Sequence, residues 1–175
     1  LGYGVQLVAG NSLADDFTLD ETCSIDTMTM FAYQTNGGFP STLTALYVQI
    51  WDGQPNAGGS IIWGDLTTNR LASTDWTNAY RASDTTGCSR LIMFGVATIG
   101  TSLDAGTYWV EWTFEGSASS GPWAPPVSIL GEGGKPGANG LQNQSGTWVE
   151  LIDGLGAVSY PQDMPFLIDG SCGPP

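Results

Sequence analysis

Apolar and polar residues alternate along this chain with a period of two. From Gly106 to Glu115, Tyr108, Val110, Trp112 and Phe114 fall on one face, and Trp109, Glu111, Thr113 and Glu115 on the other. That is the pattern of an antiparallel strand with one side on a core and one side wet. Ala45–Trp51 repeats it, with Leu46, Val48 and Ile50 inward. Further strands are predicted over Asp15–Leu19, Ser24–Tyr33, Ser60–Gly64, Trp76–Ala82, Arg90–Ile99, Pro126–Leu130, Thr147–Leu151 and Met164–Ile168. Turn clusters separate them at Asn36-Gly37-Gly38, Asp52-Gly53-Gln54-Pro55, Asp104-Ala105-Gly106 and Gly131–Gly137. No segment long enough for a helix carries helical periodicity. About ten short strands at this spacing predict an all-β fold, a jelly-roll-like antiparallel sandwich of two sheets. The expected core is Phe17, Met28, Met30, Leu46, Val48, Ile50, Tyr108, Val110, Trp112, Phe114 and Phe166.

The sandwich domain is expected over residues 12–170, with 171–175 as a tail or linker and 1–11 as an N-terminal strand or arm. In that arm Leu1, Tyr3, Val5, Leu7 and Ala9 alternate with Gly2, Gly4, Gln6 and Val8. Two outcomes follow from such a pattern. The arm is an edge strand of its own sheet, or it docks on the open edge of another copy, with Tyr3, Val5 and Leu7 filling alternate pockets.

Composition narrows the function. The 175 residues suit one domain, and 41% hydrophobic with 11% aromatic residues is too apolar for a disordered chain. Four Lys plus Arg stand against 17 Asp plus Glu, a net charge of −13. A chain so acidic repels phosphate backbones and anionic lipid, which argues against nucleic acid as a partner. No apolar run approaches the ~20 residues of a membrane span, which argues against membrane insertion. With no histidine, Ser-His-Asp and Cys-His catalysis and His-ligated metals are excluded. Charged residues are only 12% of the chain, and Thr, Ser, Gly and Asn stand in their place, the mix of secreted β-proteins. An extracellular or cell-surface location is expected.

Few residues are left to carry chemistry. Three cysteines, Cys23, Cys88 and Cys172, allow three single pairings, which spacing does not resolve. Cys23 and Cys88 both flank strands of the domain body and are the expected bridge. Cys172 becomes the partner of Cys23 if the last strand runs antiparallel to Ser24–Tyr33. Among the carboxylates, Asp15, Asp16, Asp20 and Asp163 would converge if the first and last strands were neighbours, and could then hold a structural calcium with carbonyls and water. No other cofactor is expected. Glu111 and Glu115 on one strand lie about 13 Å apart at about 3.3 Å per residue, too far for the carboxylate pair of a glycosidase. Aromatics are the stronger lead. Trp51, Trp63, Trp109, Trp123 and Trp148 fall at strand ends, loops or outward positions, and indole faces stack on the C–H faces of sugar rings; Trp51, Trp63, Trp123 and Trp148 are the expected sugar-binding set. Ser120-Gly121-Pro122-Trp123-Ala124-Pro125-Pro126 reads as a rigid loop presenting Trp123, since its prolines fix φ and supply no N–H. Asn143-Gln144-Ser145 is a glycosylation sequon.

Four strings, Ala14-Asp15-Asp16-Phe17, Ala105-Gly106-Thr107-Tyr108-Trp109, SGPWAPP from Ser120 and Met164-Pro165-Phe166-Leu167-Ile168-Asp169-Gly170, give the chain a family likeness. Together they resemble a recurring β-sandwich domain of large secreted and surface-attached bacterial proteins. The likeness runs from about Ala14 to Gly170. It implies a non-catalytic accessory or structural module and brings no catalytic residues with it. The function expected is therefore an extracellular structural or adhesive module, in one form a filament subunit that binds other copies of itself through its N-terminal strand. The alternative is a carbohydrate-binding module whose partners are cell-surface glycans.

Overall fold

The computed structural model describes residues 2–81, 89–129, 131–153 and 158–173. Its strands are, in order, β1 (Tyr3–Gly4), β2 (Asn11–Leu19), β3 (Cys23–Thr35), β4 (Leu43–Trp51), β5 (Ile61–Asp65), β6 (Leu71–Tyr80) and β7 (Leu91–Leu103). They continue with β8 (Gly106–Gly116), β9 (Ser120–Ala124), β10 (Leu141–Gln144), β11 (Thr147–Glu150), β12 (Ile152–Asp153), β13 (Tyr160–Pro161) and β14 (Phe166–Cys172). One sheet runs β1-β9-β3-β7-β6, with β14 also on β3, and the other runs β11-β10-β2-β8-β4-β5. The strands β12 and β13 form a small separate pair. The fold is thus the all-β antiparallel sandwich that the period-two pattern predicts.

The core lies between the two six-stranded sheets. Met28, Met30 and Ala32 of β3 and Met93 and Ala97 of β7 meet Leu46, Val48 and Ile50 of β4 and Val110, Trp112 and Phe114 of β8. Phe17, Tyr108 and Phe166, also expected inward, pack on this cluster while partly exposed. Each fully buried side chain of this size contributes about 1.5–3 kcal/mol. Register in β8 is as the alternation predicts: Trp112 is 1% exposed and paired with Leu13 and Val48. The expected wet side is wet only at Glu115. Trp109, Glu111 and Thr113 are all buried, because β8 is central and its outward side chains are flanked on both sides by those of β2 and β4.

The N-terminal segment pairs within its own chain. Tyr3 and Gly4 lie opposite Ala124 and Trp123 in the first sheet, and two residues later Gln6 bridges Phe114 of the second. The Val5 carbonyl accepts the Phe114 N–H at 2.9 Å, and the Val5 side chain is fully buried. A short 3₁₀ turn at Leu7–Ala9 then returns the chain into β2 through Gly10, whose φ of +68° suits glycine. The segment therefore closes one side of the sandwich by passing from sheet to sheet. Alternation ends at Val5, and Val8 is 93% exposed.

Two further expectations are corrected. Cys23 is bonded to Cys172, so the expected Cys23–Cys88 bridge is wrong. The reason is register: β14 runs antiparallel to β3 and sets Cys172 directly opposite Cys23. Cys88 lies outside the described residues, as do Leu1, Ala82 and Leu130. The strand β14 runs to Cys172 itself. The SGPWAPP string is not a loop throughout. Ser120–Ala124 is the strand β9, while Pro126–Ile129 is not strand. A proline is tolerated there because Pro122 falls in the irregular register between the Tyr33–Trp123 and Thr35–Ser120 pairs, where its missing N–H breaks no ladder bond.

Candidate functional site

The outer face of the second sheet carries the most unusual chemistry in the molecule. Register places Trp109 beside Trp51 and Asp16, Glu111 beside Gln49 and Ala14, and Thr113 beside Tyr47. On the other side of β2, Ser12 lies beside Asn143 and Asn143 beside Trp148. A solvated sheet face is ordinarily polar. Here Ala14, Trp109 and Leu141 form a second, small apolar cluster, and the half-buried indoles of Trp51 and Trp148 pack against it. The two rings meet edge to face, 6.3 Å apart at 85°.

A buried carboxylate organises this face. Glu111 is 1% exposed and no cation touches it among the described residues. Its charge is met by three donors: the Ser12 hydroxyl at 2.5 Å, the Gln49 amide at 2.6 Å and the Trp51 indole N–H at 2.9 Å. Charge-assisted bonds of this kind are about twice as strong as neutral ones. Leaving any of the partners alone in a buried site costs about 1–3 kcal/mol. Glu111 thus fixes the plane of Trp51 and the amide of Gln49.

Next to this cluster, and sharing Leu141 with it, is a cleft of about 160 Å³ lined by Gln54, Ala138, Asn139, Gly140, Leu141, Glu150, Leu151 and Pro161. Gln54 comes from the β4–β5 connection and Asn139 from the glycine-rich loop. The lining mixes apolar side chains with two amides and one carboxylate, the composition of a small-ligand site.

The four expected sugar-binding tryptophans separate. Trp51 and Trp148 come together. Trp63 lies opposite Ile50 and packs on the main core, with the Arg70 guanidinium 4.4 Å above its ring. Trp123 belongs to the first sheet, opposite Gly4 and Tyr33, with its indole N–H on the Ser120 hydroxyl at 3.4 Å. Sequence reasoning missed Gln49, Gln54, Asn139 and the buried state of Glu111. The one available signal was an acidic residue at an outward position between two tryptophans.

The four carboxylates expected to hold calcium also divide. Asp15 and Asp16 are consecutive on β2 and point to opposite faces, and Asp20 lies exposed beyond the strand end. Asp15 and Asp163 do converge. Asp15 accepts the backbone N–H groups of Met164 at 2.5 Å and Asp16 at 2.9 Å. Asp163 accepts the Lys135 ammonium at 2.6 Å and the Asn139 N–H at 2.9 Å. Burial pushes the Asp15 carboxyl up to about 7; the Met164 N–H opposes this, and the charge of Asp163 adds to it. The Asp163 carboxylate in turn raises the pKa of Lys135. No group of three or more acidic or thiol side chains is placed to hold a metal among the described residues.

The first sheet carries a larger and more apolar groove on its outer side, about 530 Å³, lined among others by Phe31, Tyr80, Arg81, Ile92, Pro125, Pro126 and Pro165. It gathers none of the expected site residues. No helix among the described residues is long and apolar enough to cross a membrane.

No family model, no curated protein and no solved structure matches this chain.

Proposed function

We propose that the chain is a non-catalytic, extracellular adhesive module that binds carbohydrate on the outer face of its second sheet. One observation carries the reading: the half-buried Trp51 and Trp148 meet above a polar network centred on Glu111, beside a cleft with two amides and a carboxylate. Indole faces match the C–H side of a pyranose, and amides and carboxylates match its hydroxyls. The reading moves from self-assembly toward glycan capture because Tyr3 and Val5 are engaged in the chain's own sheets. Catalysis is disfavoured because both oxygens of Glu111 are held by neighbouring donors rather than turned to a bond to be cleaved. The disulfide supports an oxidising, extracellular setting.

A glycan array probed with the intact chain tests the reading. Bound glycans should be lost in Trp148→Ala and Trp51→Ala and kept in Trp123→Ala, which sits on the other sheet. Equal loss in the Trp123 variant, or a blank array, would refute it.

A further inference from the structure

Resting on that reading, the geometry also restricts which glycan fits. We propose that the site takes the terminal ring of a soluble glycan that bears no carboxylate or sulfate, rather than a crystalline polysaccharide surface or an acidic polymer.

The first restriction is planarity. A flat polysaccharide chain or crystal face offers successive rings in one plane, and a protein gripping it needs coplanar aromatic faces. Trp51 and Trp148 stand at 85° to each other. Trp51 cannot turn to correct this, because its N–H is held by the buried Glu111. Two perpendicular indoles form a corner, and a corner receives one ring.

The second restriction is size. Sites for drug-sized ligands run from about 300 to 1,000 Å³. The cleft, which joins the indole cluster at Leu141, is about 160 Å³, about the size of a single sugar ring. The Gln54 side and the Asn139–Gly140 side flank it, and Glu150 and Pro161 also contribute to its lining. Asn139 is positioned by its own N–H on Asp163, and Gly140 by its N–H on the Gln162 carbonyl.

The third is charge. Glu150 lines the cleft, and Asp16, Glu111 and Glu115 lie on the same sheet face. Of the chain's four basic residues, Lys135 is in the loop that supplies Asn139, and its ammonium is held on Asp163. Arg70 stacks on Trp63 and pairs with Asp65, Arg81 lines the groove on the other sheet, and Arg90 lies beside Arg81, its carbonyl accepting the Arg81 N–H at 2.8 Å. An anionic ring entering the cleft would meet the Glu150 carboxylate, while the nearby Lys135 ammonium is already held by Asp163. Like charges brought together at a protein surface repel, so an acidic terminus binds at least tenfold more weakly than a neutral one.

The test uses the intact chain in three measurements. A glycan array carrying neutral, amino and acidic glycans identifies the bound termini. Calorimetry then follows one bound neutral glycan from its disaccharide to its hexasaccharide, and pull-down on microcrystalline cellulose and on chitin tests surfaces. Neutral or amino termini should bind, affinity should change less than about threefold from disaccharide to hexasaccharide, and neither solid should retain the protein. Glu150→Lys should admit acidic termini with at least a tenfold gain. Affinity that climbs steadily with chain length, retention on either solid, or acidic termini bound by the unmodified chain overturns this inference and leaves sugar binding standing. A blank array overturns both.

Discussion

The buried carboxyl of Asp15 makes the stability of the domain depend on pH in a direction opposite to that of most acidic residues. It lies in the sandwich interior, 3% exposed, and faces the carboxylate of Asp163, with Asp16 next to it in sequence and Lys135 held on Asp163. Its pKa is about 7 in the folded chain against 3.8 when free. Between those values the folded state holds a proton that the unfolded state has released. Stability from this group is therefore fully present below about pH 4, and it is lost as pH rises toward 7. A displacement from 3.8 to about 7, at about 1.4 kcal/mol per pH unit, makes the loss about 4 kcal/mol. Asp15→Asn removes the titration. The variant also leaves one of two donors, Met164 N–H or Asp16 N–H, facing an amide that has only one oxygen, a pH-independent cost of about 1–3 kcal/mol. The informative quantity is the slope and not the offset. Urea midpoints for both proteins from pH 4 to 8 should show the wild type losing about 4 kcal/mol more than Asp15→Asn over that range. Parallel curves would refute the argument, because they would mean that Asp15 ionises in the folded chain as easily as in the unfolded one.

Other perturbations test the packing and the site. The Cys23–Cys172 bond closes a separation of 149 residues, for which the chain-entropy model gives about 5 kcal/mol, so Cys172→Ser should lower the unfolding free energy from urea denaturation by a comparable amount. The indole N–H of Trp112 is buried without a hydrogen-bond partner among the described residues. Trp112→Phe relieves that group while losing ring volume and should change stability by less than about 1 kcal/mol, whereas Trp112→Ala should cost about 3–5 kcal/mol in the same denaturation assay. A Cβ on Gly170 would stand 1.9 Å from the Ser24 carbonyl oxygen, and Gly170→Ala should cost about 1–3 kcal/mol by forcing β14 from β3. Glu111→Ala should free the Trp51 ring, seen as a red shift of tryptophan emission and as weaker glycan binding with the fold retained by circular dichroism.

Much of the fold was legible because β8 and β4 each press one face on a core, and a one-residue slip would have turned Trp112 and Ile50 outward together. The disulfide was not legible in the same way. Its identity depends on β14 pairing antiparallel with β3, a long-range fact that the spacing of three cysteines does not contain. Proline counting misled at Ser120–Ala124 because a missing N–H is costly only where the ladder needs it, and the register beside Pro122 does not.

The site was half legible for a related reason. Period two separates the faces of a strand but does not say which neighbours an outward residue will meet. Glu111, Trp109 and Thr113 read as solvated because their alternation is indistinguishable from that of the exposed Glu115. What removes them from water is the partner strands: Gln49 and Trp51 from one side, Ser12 and Ala14 from the other, and Trp148 three strands away. Ala14 shows this most clearly. At an outward position in sequence it is unremarkable, yet it is fully buried at the centre of the second cluster. A larger side chain there would hold Trp51 and Trp148 apart, and with them the corner on which the proposed sugar site depends. Ala14→Leu should therefore abolish glycan binding, at an overpacking cost of about 1–3 kcal/mol in urea denaturation, while the main core on the opposite face of β2 keeps its fold by circular dichroism. Retained binding in that variant would show that the edge-to-face meeting of the two indoles is not what captures the ligand.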